Sequence, residues 1–182
     1  MSTHLTLLQS KLQNPNLIKH SLAVEAAMRG LAEYFHEDQE TWGTAGLLHD
    51  IDYETTKDNP AEHSKVGAQM VREAGYSEDI AAAIFTHNDD HGVGPASRMA
   101  KALHCVDPLT GLIVASTLVL PSKKIADLKL ENVVNRLPEK SFAKGANREI
   151  IKKCEPLLNI KLEKFVEIVL NSMQKIAEKL GL

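Results

Sequence analysis

The chain has 182 residues, enough for one domain with a buried core that needs no disulfides. Hydrophobic residues make up 43% and aromatic residues only 4%, so the core is expected to be Leu, Ile, Val and Ala, which suits packed helices better than sheets. A formal net charge of -3 with mixed signs excludes a general attraction to nucleic acid or to an acidic membrane, no apolar run reaches membrane-span length, and two isolated cysteines with no signal-peptide pattern point to the cytoplasm.

Asn14-Pro15 reads as a helix start, and Leu17, Leu22, Val24, Ala27, Met28, Leu31 and Phe35 mark a broad helical stripe behind it. A second helix is expected from about Asp38 to His49, burying Trp42, Ala45 and Leu48. Residues 51–59 read as a loop, and Asn59-Pro60 as the start of a third helix carrying His63, Val66, Met70 and Val71. Ser77 is a suitable cap for a fourth, on which Ile80, Ile84 and His87 share a face. After a Gly- and Asp-rich loop at 88–95, a fifth carries Met99, Leu103 and Asp107, and Pro108 reads as the start of a separate short apolar helix over 109–119. A strand at 113–120 is the alternative for that last run. Segments 129–137, 146–157 and 161–180 read as further helices.

The informative segment is AGLLHDID at 45–52, where His49-Asp50 closes an apolar helix and a buried carboxylate needs a partner. His20, His63, His87 and Asp107 stand on separate expected helices, and convergence of such side chains is a common way to build a metal site in a bundle. Imidazole with carboxylate suits Mn, Fe, Co, Ni or Zn better than Ca.

In these residues the chain resembles the HD superfamily of metal-dependent phosphohydrolases. The signature H…HD…D is met by His20 in IKHSLAVE, His49 and Asp50 in LLHDID, and Asp107 in ALHCVDPLTG. The resemblance implies an all-α fold, an HD-domain helical bundle with a C-terminal helical extension. One domain over 1–182 is expected, with its metal-binding core at about 17–120 and a helical layer at about 121–182. It implies a divalent transition metal held by His20, His49, Asp50 and Asp107, with His63 and His87 placed for a second ion. Many relatives read HDIG where this chain has Asp52, and strongly bimetallic ones carry His-His where it has His87-Asn88, so one ion is expected and a second is an open alternative.

The expected reaction is in-line attack of metal-bound hydroxide on a phosphate ester or anhydride, with Asp50 steering the proton. The family points to a small phosphorylated substrate of the nucleotide kind, with no membrane partner and a homo-oligomer left open. Arg98, Lys101, Lys123, Lys124 and Arg148 are candidates to grip phosphate oxygens, with solvated surface charge as the competing explanation. His91 is a further candidate ligand, His104 a core or supporting residue, and Asp52, Tyr53 and Glu54 are either substrate contacts or plain loop. Cys105 reads as a small buried apolar residue. The competing functions are a metal- and nucleotide-binding sensor with little turnover and a helical interaction module with a structural metal.

Overall fold

The computed structural model describes residues 3–182, and the regular elements among them are all helical. Helix α1 (Thr3–Lys11) leads to α2 (Pro15–Phe35). The start of α2 is as the sequence dictates: the Asn14 side chain accepts the Asn16 N–H at 2.9 Å, and Pro15 lies where a helix has no use for an N–H. Glu54 supports the same corner by accepting the backbone N–H groups of Gln13 and Asn14. His36 takes the left-handed conformation at φ 57° and ends α2, so that the chain turns into α3 (Gln39–Leu48). Asp38 caps α3 by accepting the Thr41 N–H at 2.7 Å.

Close packing of α3 on α2 requires glycine at position 46, where an added Cβ would stand 2.9 Å from the Val24 carbonyl oxygen. This approach brings the end of α3, and with it His49-Asp50, against His20 of α2. Short helix α4 (Tyr53–Thr56) follows, then a 3-10 turn at Pro60–Glu62, α5 (Lys65–Glu73) and α6 (Glu78–Thr86). Helix α5 packs on α6, and α6 packs on α3 and on α7 (Arg98–Leu118). Helix α7 also packs on α2 and carries α9 (Arg148–Lys152) and α10 (Cys154–Leu158). Helix α8 (Leu130–Arg136) packs on α7; α11 (Leu162–Gln174) lies on α2, α7 and α8, and α12 (Ala177–Leu180) returns to α2. One cluster of buried apolar side chains joins all these layers, from Leu8 and Leu31 through Leu103, Leu109 and Leu112 to Phe165. No helix among the described residues is long and apolar enough to cross a membrane.

Several expectations from the sequence change, the first at 51–59, where the expected loop holds the short helix α4. Pro108 does not divide the fifth helix: α7 runs through it to Leu118, and no strand forms at 113–120. Pro108 forfeits one backbone bond, but Leu103, Val106, Leu109 and Leu112 on both sides of it are fully buried, and that packing outweighs the local penalty. The helix expected from Asn59-Pro60 is interrupted at His63–Ser64, where Ser64 has φ 65°, so His63 stands in an irregular link between the turn and α5. The C-terminal segments are also more broken than expected, with a junction at Lys153 and another at Lys175–Ile176.

Candidate metal centre

Helices α2, α3 and α7 bring three of the expected residues together and set Asp50 beside them. His20 Nε2 lies 2.9 Å from Asp107 Oδ1 and 3.2 Å from His49 Nε2. Asp50 Oδ2 stands 3.4 Å from His49 Nε2 and 3.8 Å from His20 Nε2. The other oxygen of Asp50 turns the opposite way: Oδ1 is 3.3 Å from His63 Nε2 and 3.5 Å from His87 Nε2. Asp50 thus divides the cluster into a His20 side and a His63 side. The donor atoms of His20, His49 and Asp50 lie within 4.8 Å of one another, as do those of Asp50, His63 and His87 and those of His49, His87 and Asp107, so that His87 borders both sides.

The imidazoles are oriented through their second nitrogens. His49 Nδ1 donates to the Gly46 carbonyl at 2.8 Å and His87 Nδ1 to the Ile84 carbonyl at 2.6 Å. Those bonds fix a proton on Nδ1 and direct Nε2 at the carboxylates, the arrangement a metal-binding histidine needs. His20 Nδ1 meets the Thr110 hydroxyl at 3.3 Å, and His63 Nδ1 meets Asp52 Oδ1 at 3.1 Å. The donor set therefore fits a divalent transition ion: nitrogen and carboxylate oxygen, converging, and held by supporting bonds.

The carboxylates of the cluster favour positive charge beside them. His49 is fully buried, which opposes its protonation, yet the Asp50 and Asp107 carboxylates outweigh burial and raise its pKa well above the usual range. Burial likewise opposes the charge on Asp50, and His49, His63 and His87 overcome it to hold the carboxyl well below the usual range. Asp107 is lowered in the same way by His20 and His49, against the cost of burial. His63, disfavoured as a cation by burial, is raised to about 9 by Asp50 and Asp52. The raised values of His49 and His63 mean that an ion binding at Nε2 would displace their protons.

Two cavities open onto the cluster. One, of about 480 Å³, touches His20 and is lined by Asn16, Lys19, Gly111, Val114 and Leu118. The other, of about 170 Å³, touches His63 and is lined by Tyr53, Lys57, Asn88 and Asp90. The phosphate-gripping candidates chosen from the sequence lie elsewhere. Arg98 pairs with Glu37 at 2.9 Å, stands over the Phe35 ring, and lines a different cavity with Asp38 and Trp42. Arg148 is buried and spends its guanidinium on the carbonyls of Phe142, Ala143 and Ala146. Lys101, Lys123 and Lys124 line neither cavity at the cluster. Lys19, which directly precedes His20 in IKHS, and Lys57 line these two cavities and were not among the sequence candidates.

The remaining candidates have supporting places. His91 Nε2 donates to the His63 carbonyl at 2.7 Å, with its ring stacked on Phe85, so it holds the link on which His63 sits. His104 is buried and donates from Nδ1 to the His87 carbonyl. Glu54 serves the α2 corner, whereas the Tyr53 ring stands edge-on to His63 at 5.5 Å. Burial pushes the Cys105 thiol up to about 12, which excludes a ready thiolate nucleophile.

Known proteins are similar to this chain in sequence. The HD domain family model matches residues 17–112, just over half of the chain. Ribonuclease Y of Oleidesulfovibrio alaskensis (strain ATCC BAA-1058 / DSM 17464 / G20) is 31% identical over 138 residues, covering 74% of this chain and 26% of the relative. Ribonuclease Y of Thermoanaerobacter pseudethanolicus (strain ATCC 33223 / 39E) is 31% identical over 139 residues, covering 74% and 27%. The chain spans about a quarter of the length of these relatives. The signature residues lie inside the matched segment, and the chain belongs to the HD domain family of metal-dependent hydrolases.

Proposed function

We propose that this protein is a phosphohydrolase that acts on a small phosphate ester or anhydride of the nucleotide class. The observation that carries the reading is the convergence of donors about Asp50, with His20, His49 and Asp107 on one side, His63 on the other, His87 between His63 and His49, and a cavity at each end. His20, His49, Asp50 and Asp107 would hold a first divalent ion (Mn, Fe, Co, Ni or Zn), and Asp50, His63 and His87 a second. Such an ion acidifies water and offsets charge on a phosphoryl group.

The chain's own residues do the rest. Asp50 accepts a hydrogen bond from the attacking water and so aims it at phosphorus. Lys57 at the smaller cavity, and Lys19 at the larger, neutralise and orient the non-reacting oxygens. The apolar wall of Val114 and Leu118 takes the uncharged part of the substrate and keeps water from it. Residues 1–182 act in this reading as one catalytic unit.

The test is phosphate release from nitrophenyl phosphate and from nucleotides by the metal-loaded chain, with bis(nitrophenyl) phosphate as a diester. Turnover that disappears with Asp50→Ala is the expected result; no turnover with any of the five metals would sink the reading. A second reading, cleavage of a phosphodiester in RNA, is favoured by the names of the ribonuclease Y relatives. It predicts that the diester and short RNA are preferred over monoesters in the same screen.

A further inference from the structure

We propose that Asp52 is the positioning residue for the His63 side of the centre, and that its buried carboxylate, acting through His63, sets the affinity of the second ion. The inference rests on the two-ion reading above. Asp52 is fully buried, and neither of its oxygens is idle. Oδ2 accepts the Gly67 N–H at 2.8 Å, and Oδ1 faces His63 Nδ1 at 3.1 Å. On the far edge of the same ring, Nε2 points at Asp50 Oδ1. The line Asp52–His63–Asp50 therefore fixes which His63 nitrogen carries the supporting proton and which one meets an ion.

Asp52 differs from the groups that orient the other three rings. His49 and His87 use backbone carbonyls, and His20 uses a hydroxyl; His63 alone has an anion behind it. The His63 side needs that charge. Its donors are two imidazoles and an Asp50 carboxylate shared with the His20 side, and the residue after His87, Asn88, directs its amide to the His63 carbonyl at 3.4 Å instead of into the cluster. His63 also lacks the rigidity of a helix, since it lies beside the Ser64 break. The Asp52 carboxylate makes good both shortages. It adds negative charge next to the ring, and it ties the irregular link to the first turn of α5.

The surroundings are shaped for a carboxylate. An added Cβ at position 67 would lie 3.1 Å from the Asp52 carboxyl carbon and from Oδ1, so glycine gives the carboxylate its room. Both neighbours, Gly67 N–H and His63 Nδ1–H, are donors that need acceptors. An asparagine in the same place has one oxygen and one NH2 group, so it satisfies one neighbour and confronts the other with a donor. If the NH2 faces His63, the ring proton is driven to Nε2, the nitrogen meant for the ion.

The test is titration of the metal-free full-length chain with Mn2+ by calorimetry and electron paramagnetic resonance, for the wild type, Asp52→Asn, His63→Ala and the double variant. The wild type should take two ions and show the signal of a coupled pair. Asp52→Asn should keep the tighter ion and weaken the second by about 10- to 100-fold. The coupled signal should vanish at Mn2+ concentrations that saturate the wild type. In the His63→Ala background, Asp52→Asn should change nothing further, because its effect passes through His63. Retention of the second ion by Asp52→Asn, or equal weakening of both ions, overturns the proposal. A wild type that takes only one ion overturns the two-ion reading itself, and is told apart because the unaltered protein fails. If Asp52→Asn does not fold, Gly67→Ala serves instead: pressing on the carboxylate, it should weaken the second ion selectively, and unchanged binding of both ions would overturn the proposal.

Discussion

On its His20 side the cluster is held by long helices: His20 and Asp107 sit in the interiors of α2 and α7, and His49-Asp50 closes α3 where Gly46 lets it press on α2. On its His63 side the ring comes from an irregular link, and its place depends on side chains, with Asp52 at its nitrogen and His91 and Asn88 at its carbonyl. Position set by a packed core is rigid because any shift must disturb many buried contacts. Position set by a few polar bonds is tunable by single residues. The comparison teaches that one half of the centre is secured by the fold, and the other by a few polar side chains, Asp52 first among them.

The largest effect should come from the residue the two halves share. Asp50→Ala should remove bound metal from both and lower phosphate release by roughly 10²- to 10³-fold or more, read by elemental analysis and a phosphate assay. Next, the halves should separate: His20→Ala should lose the tighter ion, whereas His63→Ala should keep it and lose only the weaker, as ion counts after dialysis will show. If the two variants lose the same ion, the division about Asp50 is wrong. Third, Gly46→Ala forces a Cβ toward the Val24 carbonyl, and should cost about 1–3 kcal/mol in urea unfolding while loosening the His20 side. Fourth, Lys57→Ala and Lys19→Ala should raise KM several-fold, on the order of 1 kcal/mol, with metal content unchanged.

The smallest effect concerns the cap of α3, which carries the His20 side. Hydrogen bonds from the Thr41 side chain and backbone hold the Asp38 carboxyl below its usual 3.8. A group lowered in the folded state stabilises above its unfolded pKa, and that stability is lost as pH falls through the lower folded value. Asp38→Ala should therefore melt below the wild type near neutrality, with the difference shrinking as the pH drops below about 4. Asp38→Asn, which caps without titrating, should melt close to the wild type at both ends.

The same contrast explains what the sequence disclosed. The His20 side was legible because each residue stands in a periodic apolar helix, and the periodicity places His20, His49 and Asp107 on inward faces. On the His63 side the donors His63 and His87 were named as well, but the backbone that carries His63 was not foreseen, since the Ser64 break defies the helical pattern that Asn59-Pro60 announces. Asp52 was visible as a departure from HDIG, but its task depends on the N–H of Gly67, fifteen residues away, which spacing does not reveal. The places of Arg98 and Arg148 away from the cluster were hidden for a related reason. Arg98 and Arg148 have local partners, Glu37 and a run of carbonyls, that no sequence pattern marks. Pro108 misled because burial along α7 outweighs the one bond it removes.

The central claim, a metal-dependent hydrolytic centre built about Asp50, is tested most directly by measuring metal content and phosphate release together, on the wild type and on His49→Ala/Asp50→Ala. The account predicts near-stoichiometric or higher transition metal in the wild type, activity that follows the metal through removal and reloading, and loss of both in the variant with its helical circular dichroism intact. A wild type that holds no metal after reloading with Mn, Fe, Co, Ni or Zn, or a variant that hydrolyses as fast as the wild type, would contradict it.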